Sequence, residues 1–101
     1  MRGSEANKRR PAVIVSNDGA NATAARLGRG VITVVPVTWN GHIYPFQVGL
    51  SAEATGLKHN SKAQAEQVRS VAVERIGARI GMVMGPLIGE LDEALRLHLA
   101  L

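Results

Sequence analysis

Gly30-Val31-Ile32-Thr33-Val34-Val35-Pro36-Val37-Thr38 decides the fold class. Every position from 31 to 38 except Pro36 is β-branched. Such side chains pack well on a pleated surface and lose rotamers in a helix, so the stretch reads as a strand. Alternation along it sets Ile32, Val34, Pro36 and Thr38 on one face. Pro36 has no N–H to give to a ladder, which predicts a sheet edge or a bulge near the strand's end.

The stretches on either side extend the pattern. Asn40-Gly41 is a strong hairpin signal. The next strand is expected over about 43–50, with Tyr44, Phe46, Val48 and Leu50 on one face. Upstream, Ala12-Val13-Ile14-Val15 opens at Pro11, closes at Ser16-Asn17-Asp18-Gly19, and reads as a buried strand. Residues 20–30 read as a loop with one helical turn. Residues 51–61 read as a polar loop. Lys62 to Val71 is a weaker strand, because Ala, Gln and Glu are poor strand formers. Residues 71–76 suggest a short helical turn and 79–83 a last strand. Pro86 to Leu99 is an amphipathic helix with proline at its start and Leu87, Leu91, Ala94, Leu95 and Leu99 in one stripe. Glu90 and Asp92 lie early and Arg96 late, which suits the helix dipole. Short strands followed by one terminal helix make an α+β chain with a small curled sheet or barrel. No repeat or linker divides it, so 1–101 reads as a single domain.

The chain has 101 residues, 46% of them hydrophobic, and its aromatics are Trp39, Tyr44 and Phe46 alone. A core of Val, Ile, Leu and Ala leaves little spare stability at this length, which favours a homodimer. There is no cysteine. A secreted scaffold this small usually relies on disulfides, so a cytoplasmic protein is expected. No apolar run reaches membrane-spanning length and no signal peptide opens the chain, so no membrane partner is expected. The net charge of +4 and pI near 10.4 favour a polyanionic partner, nucleic acid first. His42, His59 and His98 lack metal-ligand spacing, and no zinc signature or phosphate-cradling glycine loop occurs. Neither a metal nor a cofactor is expected.

Three small clusters carry potential chemistry. Glu5 with Lys8, Arg9 and Arg10 precedes a strand, where an arginine fork suits a phosphate; a solvated basic patch is the plainer reading. Thr38 beside Trp39 ends a strand, where a hydroxyl would donate to a phosphoryl oxygen; an ordinary strand threonine is the plainer reading. Glu66-Gln67-Val68-Arg69-Ser70 places polar residues in a strand-like stretch, suited to a groove that reads bases or phosphates, or to an exposed sheet face.

Together these segments resemble the MazF/PemK toxin family along nearly the whole chain. Gly3-Ser4-Glu5 through Arg10-Pro11 and the following apolar strand resemble its GSE…RP block. Val35-Pro36-Val37-Thr38 resembles its P-x-T strand end, and Tyr44-Pro45-Phe46-Gln47-Val48 its YPF-x-V strand. Glu66-Gln67-Val68-Arg69-Ser70-Val71 resembles its EQ-x-R strand, and residues 90–99 its closing helix. Mycobacterial members look particularly similar.

The resemblance implies an SH3-like barrel with an added helix, shared with CcdB toxins, and a homodimer whose interface helps form the RNA groove. It implies metal-independent cleavage of single-stranded RNA or mRNA to 2′,3′-cyclic phosphate and 5′-hydroxyl ends, and a MazE-like antitoxin that blocks the groove. Its catalytic arginine falls on Arg10, its threonine on Thr38 and its loop glutamate on Glu5. Arg10 suits charge stabilisation, Thr38 adds a donor, and Glu5 is the better base because arginine is a poor proton acceptor. Glu66, Gln67, Arg69, Ser70, Trp39 and Asn40 match positions expected to line or support the RNA groove.

The chain departs from the family at several places. Trp39 stands where a small or polar residue is usual, Asn60 where aspartate is common, and Met82 to Gly85 is less polar. The family has a strand before the GSE block, so a shortened form or a start placed too late is expected. Two further readings stay open: an inactive toxin that still binds its antitoxin, and a gyrase-directed CcdB-like toxin.

Overall fold

The computed structural model describes residues 10–39 and 41–101. Glu5 and Asn40 lie outside the described residues, as do Lys8 and Arg9. In chain order the elements are β1 (Ala12–Ile14), α1 (Asp18–Leu27), β2 (Val31–Thr38), β3 (Gln47–Leu50), α2 (Ala52–Thr55), β4 (Ser61–Gln64), β5 (Arg69–Ala72) and α3 (Gly85–Leu99). Short 3-10 turns cover Ala65–Gln67 and Val73–Arg75. The α+β order is the one expected: an antiparallel five-stranded sheet closed by a C-terminal helix.

β2 organises the sheet. β1 pairs along one edge of it, while β4 and β5 share the other. The position of Pro36 explains that division. The Val37 N–H donates to the Pro11 carbonyl (3.1 Å) and the Val15 N–H to the Thr33 carbonyl (2.9 Å). Backbone groups of 33 and 37 therefore face β1, and alternation turns the nitrogen of Pro36 to the opposite edge. On that edge β5 pairs with Val31–Val34 and β4 with Val37 and Thr38, and nothing pairs with Val35 or Pro36. The chain detours there through the Ala65–Gln67 turn, so the missing donor costs no ladder bond. The single strand expected over 62–71 is for this reason two strands.

Other expectations change as well. β2 and β3 are not hairpin partners, because β4 lies between them. β3 starts only at Gln47: Pro45 cannot continue a ladder, and the Gln47 N–H bonds the Tyr44 carbonyl in a turn (2.9 Å). Residues 18–27 form a ten-residue helix rather than a loop. The stretch is alanine-rich, Ala24 is buried with Ile32 and Val34, and Gly28 ends the helix at φ +67°. The 51–61 loop contains α2, capped by Ser51 and ended by Gly56 in the left-handed region. Residues 79–83 form no strand; the Met82 N–H bonds the Thr55 carbonyl instead (3.3 Å).

The two faces of the sheet carry separate cores. On one face Val35, Val37, Val48, Leu50, Ala63 and Ala65 meet Leu91 and Ala94 of α3. Leu87 and Leu95 flank that core, but Leu99, the last of the expected stripe, is 49% exposed. On the other face Ile32 and Val34 pack under α1. Among the described residues no helix is long and apolar enough to cross a membrane. Leu91 is 1% exposed and joins α3 to the sheet. Leu91→Ala is expected to lower unfolding free energy by about 2–5 kcal/mol, read as a lower urea midpoint at an unchanged slope.

Candidate active site

Strand register builds the site. β1 and β2 pair Ala12 with Pro36, Val13 with Val35 and Ile14 with Val34. The Val37 to Pro11 bond carries this pairing past the end of β1, and two residues further the same register sets Arg10 opposite Thr38. On the other edge of β2, Thr38 pairs with Lys62. Directly opposed residues share a face. Arg10, Thr38 and Lys62 thus form one row across three chain segments. Two residues from Pro36 along the same face, Val34 lies between Ile14 and Arg69. Ala12 and Ile14 are exposed and Pro36 half-buried, so an open floor joins the two rows.

This face is the one turned away from α3. α1 covers its far end through Ala24, and residues 41–46 cover the near end. The absence of a side chain at Gly49, the residue paired with Lys62, permits that cover: a Cβ there would lie 3.1 Å from Ile43 Cδ1. Four contacts hold the cover down. Lys62 Nζ donates to the His42 carbonyl and lies 5.6 Å from the Tyr44 ring centroid. The Tyr44 N–H donates to Gln47 Oε1 (3.1 Å). Gln47 Nε2 in turn donates to Glu66 Oε2 (2.9 Å). His42 meets the Tyr44 ring edge-on at 4.8 Å, and Phe46 stacks on Tyr44 at 5.8 Å.

The candidate residues separate accordingly. Arg10 is exposed, Thr38 half-buried, and register brings them together. Trp39 is 65% exposed, with its ring 5.0 Å from that of His59. The antiparallel pairing of β2 and β4 makes these two diagonal neighbours just beyond the strand ends. Glu66 is half-buried and spends one carboxylate oxygen on Gln47; its other oxygen is buried without a hydrogen-bond partner. It supports the 41–46 cover. Gln67, Arg69 and Ser70 are exposed. Alternation sends Arg69 to the Thr38 face and Ser70, paired with Thr33, to the opposite one.

The sequence does not mark Lys62, His42 or Tyr44 as site residues. Lys62 carried no signal there, since only register makes it the neighbour of Thr38. Among the described residues no carboxylate lies within ion-pair distance of Arg10, Lys62 or Arg69; the ion pair there is Glu93 with Arg96 on α3. No group of three or more His, Asp or Glu among them is placed to hold a metal ion. Gln47 is the link between cover and sheet. Gln47→Ala is expected to cost about 1–3 kcal/mol, because it strands the Glu66 carboxylate and frees the 44–47 turn. Urea unfolding beside Glu66→Gln, which keeps a partner for Gln47, checks this.

Comparison with known proteins gives the chain's family. The family model described as PemK-like, MazF-like toxin of type II toxin–antitoxin system matches residues 1–99. Endoribonuclease MazF9 of Mycobacterium tuberculosis is 66% identical over 101 residues, spanning 99% of this chain and 86% of its own length. Among solved structures, the Mycobacterium tuberculosis toxin MazF-mt6 superposes with a TM-score of 0.79 at 23% identity, over 94% of this chain and 90% of that one. An endoribonuclease from a mycobacterial species, solved in complex with its cognate antitoxin, superposes with a TM-score of 0.76 at 22% identity, over 91% and 82%.

Proposed function

The chain belongs to the PemK-like, MazF-like toxin family of type II toxin–antitoxin systems, and on that premise we propose how it works as an endoribonuclease. It cuts single-stranded RNA at short sequence motifs, without a metal, to leave 2′,3′-cyclic phosphate and 5′-hydroxyl ends. The observation that carries this reading is the register that sets Arg10 opposite Thr38 on an open, cationic sheet face.

The chemistry divides among few groups. The 2′-hydroxyl attacks the adjacent phosphorus and loses its proton to a base, a role suited to Glu5. The phosphorane gathers negative charge on its non-bridging oxygens. The Arg10 guanidinium grips those oxygens with a planar pair of N–H donors, and the Thr38 hydroxyl donates to the same group. The P–O5′ bond then breaks and the leaving oxygen takes up a proton. Gln67 and Arg69 hold neighbouring nucleotides with Asn40, while Trp39 offers its exposed face to an unpaired base. Glu66 acts through Gln47, and Ser70, on the far face, supports the strand.

The same reading covers partners. A MazE-like antitoxin occupies the groove and excludes RNA. A second copy of the chain covers exposed apolar side chains such as Met82, Met84 and Leu97 in a homodimer. The protein acts in the cytoplasm, where its substrate is.

The test uses the 101-residue chain on a long unstructured RNA with EDTA present. Site-specific cuts with 5′-hydroxyl ends are expected. Arg10→Ala and Thr38→Val are each expected to lose on the order of 100-fold or more in rate. A folded native chain that leaves the RNA intact would sink the reading and favour an inactive, antitoxin-binding form.

A further inference from the structure

Lys62 is the charged group that the reaction above leaves unused. It is 8% exposed. An ammonium withdrawn from water is costly unless a counter-charge or strong acceptors replace the solvent. Its partners are the His42 carbonyl and the Tyr44 ring, both attractive to a cation and neither charged. Among the described residues no carboxylate lies within ion-pair distance of it. His42 takes one of its three N–H donors. Its strand partner is Thr38, and residues so paired have Cβ atoms about 4.5–5.5 Å apart. Arg10 stands on the other side of the same threonine. The row thus sets two cationic residues on either side of one threonine, with no carboxylate among the described residues within ion-pair distance of either.

We propose that Lys62 belongs to the phosphodiester site, where its ammonium supplies a second positive charge to the phosphate gripped by Arg10 and Thr38. The inference rests on the RNA-cleaving reading given above. The surroundings hold the charge ready. The His42 carbonyl and the Tyr44 face fix the end of a long, otherwise mobile side chain. A cation fixed before the substrate arrives pays no reorganisation when charge develops on the phosphorane. The same ammonium latches residues 41–44 over the sheet, so charge and cover are set by one group.

The test compares the native chain with Lys62→Met, Lys62→Gln and Lys62→Arg. One readout is cleavage of a single-stranded RNA. The other is anisotropy of a labelled, uncleavable 2′-O-methyl oligonucleotide over a series of salt concentrations. Each phosphate contact to a single strand adds about 0.7 to the slope of log affinity against log salt. Lys62→Met and Lys62→Gln are expected to lose about that much slope and to fall on the order of 100-fold in kcat/KM, while Lys62→Arg keeps the slope and recovers part of the rate. Two neutral variants guard against one that fails to fold, with urea midpoints as the check. An unchanged slope in a folded neutral variant overturns the proposal even where cleavage falls, since a latch alone alters rate without removing a phosphate contact. Unchanged slope and rate together also overturn it and leave Lys62 only its contacts with His42 and Tyr44. A native chain that fails to cut any RNA would instead count against the nuclease reading, and the salt slope would still decide the fate of Lys62.

Discussion

The bond from the Val37 N–H to the Pro11 carbonyl is the constraint on which the site depends. β1 is only three residues long, and its outer side chains are exposed. Without a pairing that runs past its end, the segment carrying Arg10 has no defined place. With it, antiparallel register leaves Arg10 one position, opposite Thr38. A slip of one residue would send the guanidinium to the α3 face, where Val13, Val15 and the apolar core lie. Partial burial of Val13 and Val15 against that core therefore sets the register, and the register positions the arginine. Apolar packing on one face thus decides which side chains the other presents.

Pro36 plays the complementary part on the opposite edge of β2. Because it cannot donate, the β4–β5 segment lacks one ladder bond there and bulges out as the Ala65–Gln67 turn. The detour does two things. It sets Glu66 beside Gln47, which ties the 44–47 turn to the sheet. It also resets the pairing, so that β4 meets the end of β2 and places Lys62 beside Thr38. One missing N–H thus shapes the cationic row from the other side.

The sheet is unequal across its two faces. Toward α3 its core is aliphatic, with Val35, Ala63 and Ala65 fully buried. Toward the site it buries Gln47 and Lys62, polar groups that need partners. They find them in residues 41–46, whose own backbone and rings would otherwise be solvated. The cover and the buried polar groups satisfy each other, an arrangement that holds His42 and Tyr44 against Lys62.

Much was legible in the chain alone. The β-branched run at 31–38 declared the central strand, the stripe at 87–95 declared the terminal helix, and the blocks around Arg10 and Thr38 declared the family, because each depends on neighbours in sequence. Composition likewise pointed to a polyanionic partner. What depended on distant neighbours was not legible. The helix at 18–27 forms because Ala24 has Ile32 and Val34 to pack on, a contact no local pattern announces. Which of Arg69 and Ser70 faces the site, and the insertion of β4 between β2 and β3, follow from pairing partners. So does the role of Lys62, an unremarkable residue in sequence that register sets beside Thr38. Local sequence determined which segments would be strand or helix, since propensity and periodicity act over a few residues. Only tertiary structure decided which charges meet, since that is set by hydrogen-bond register between segments far apart in the chain.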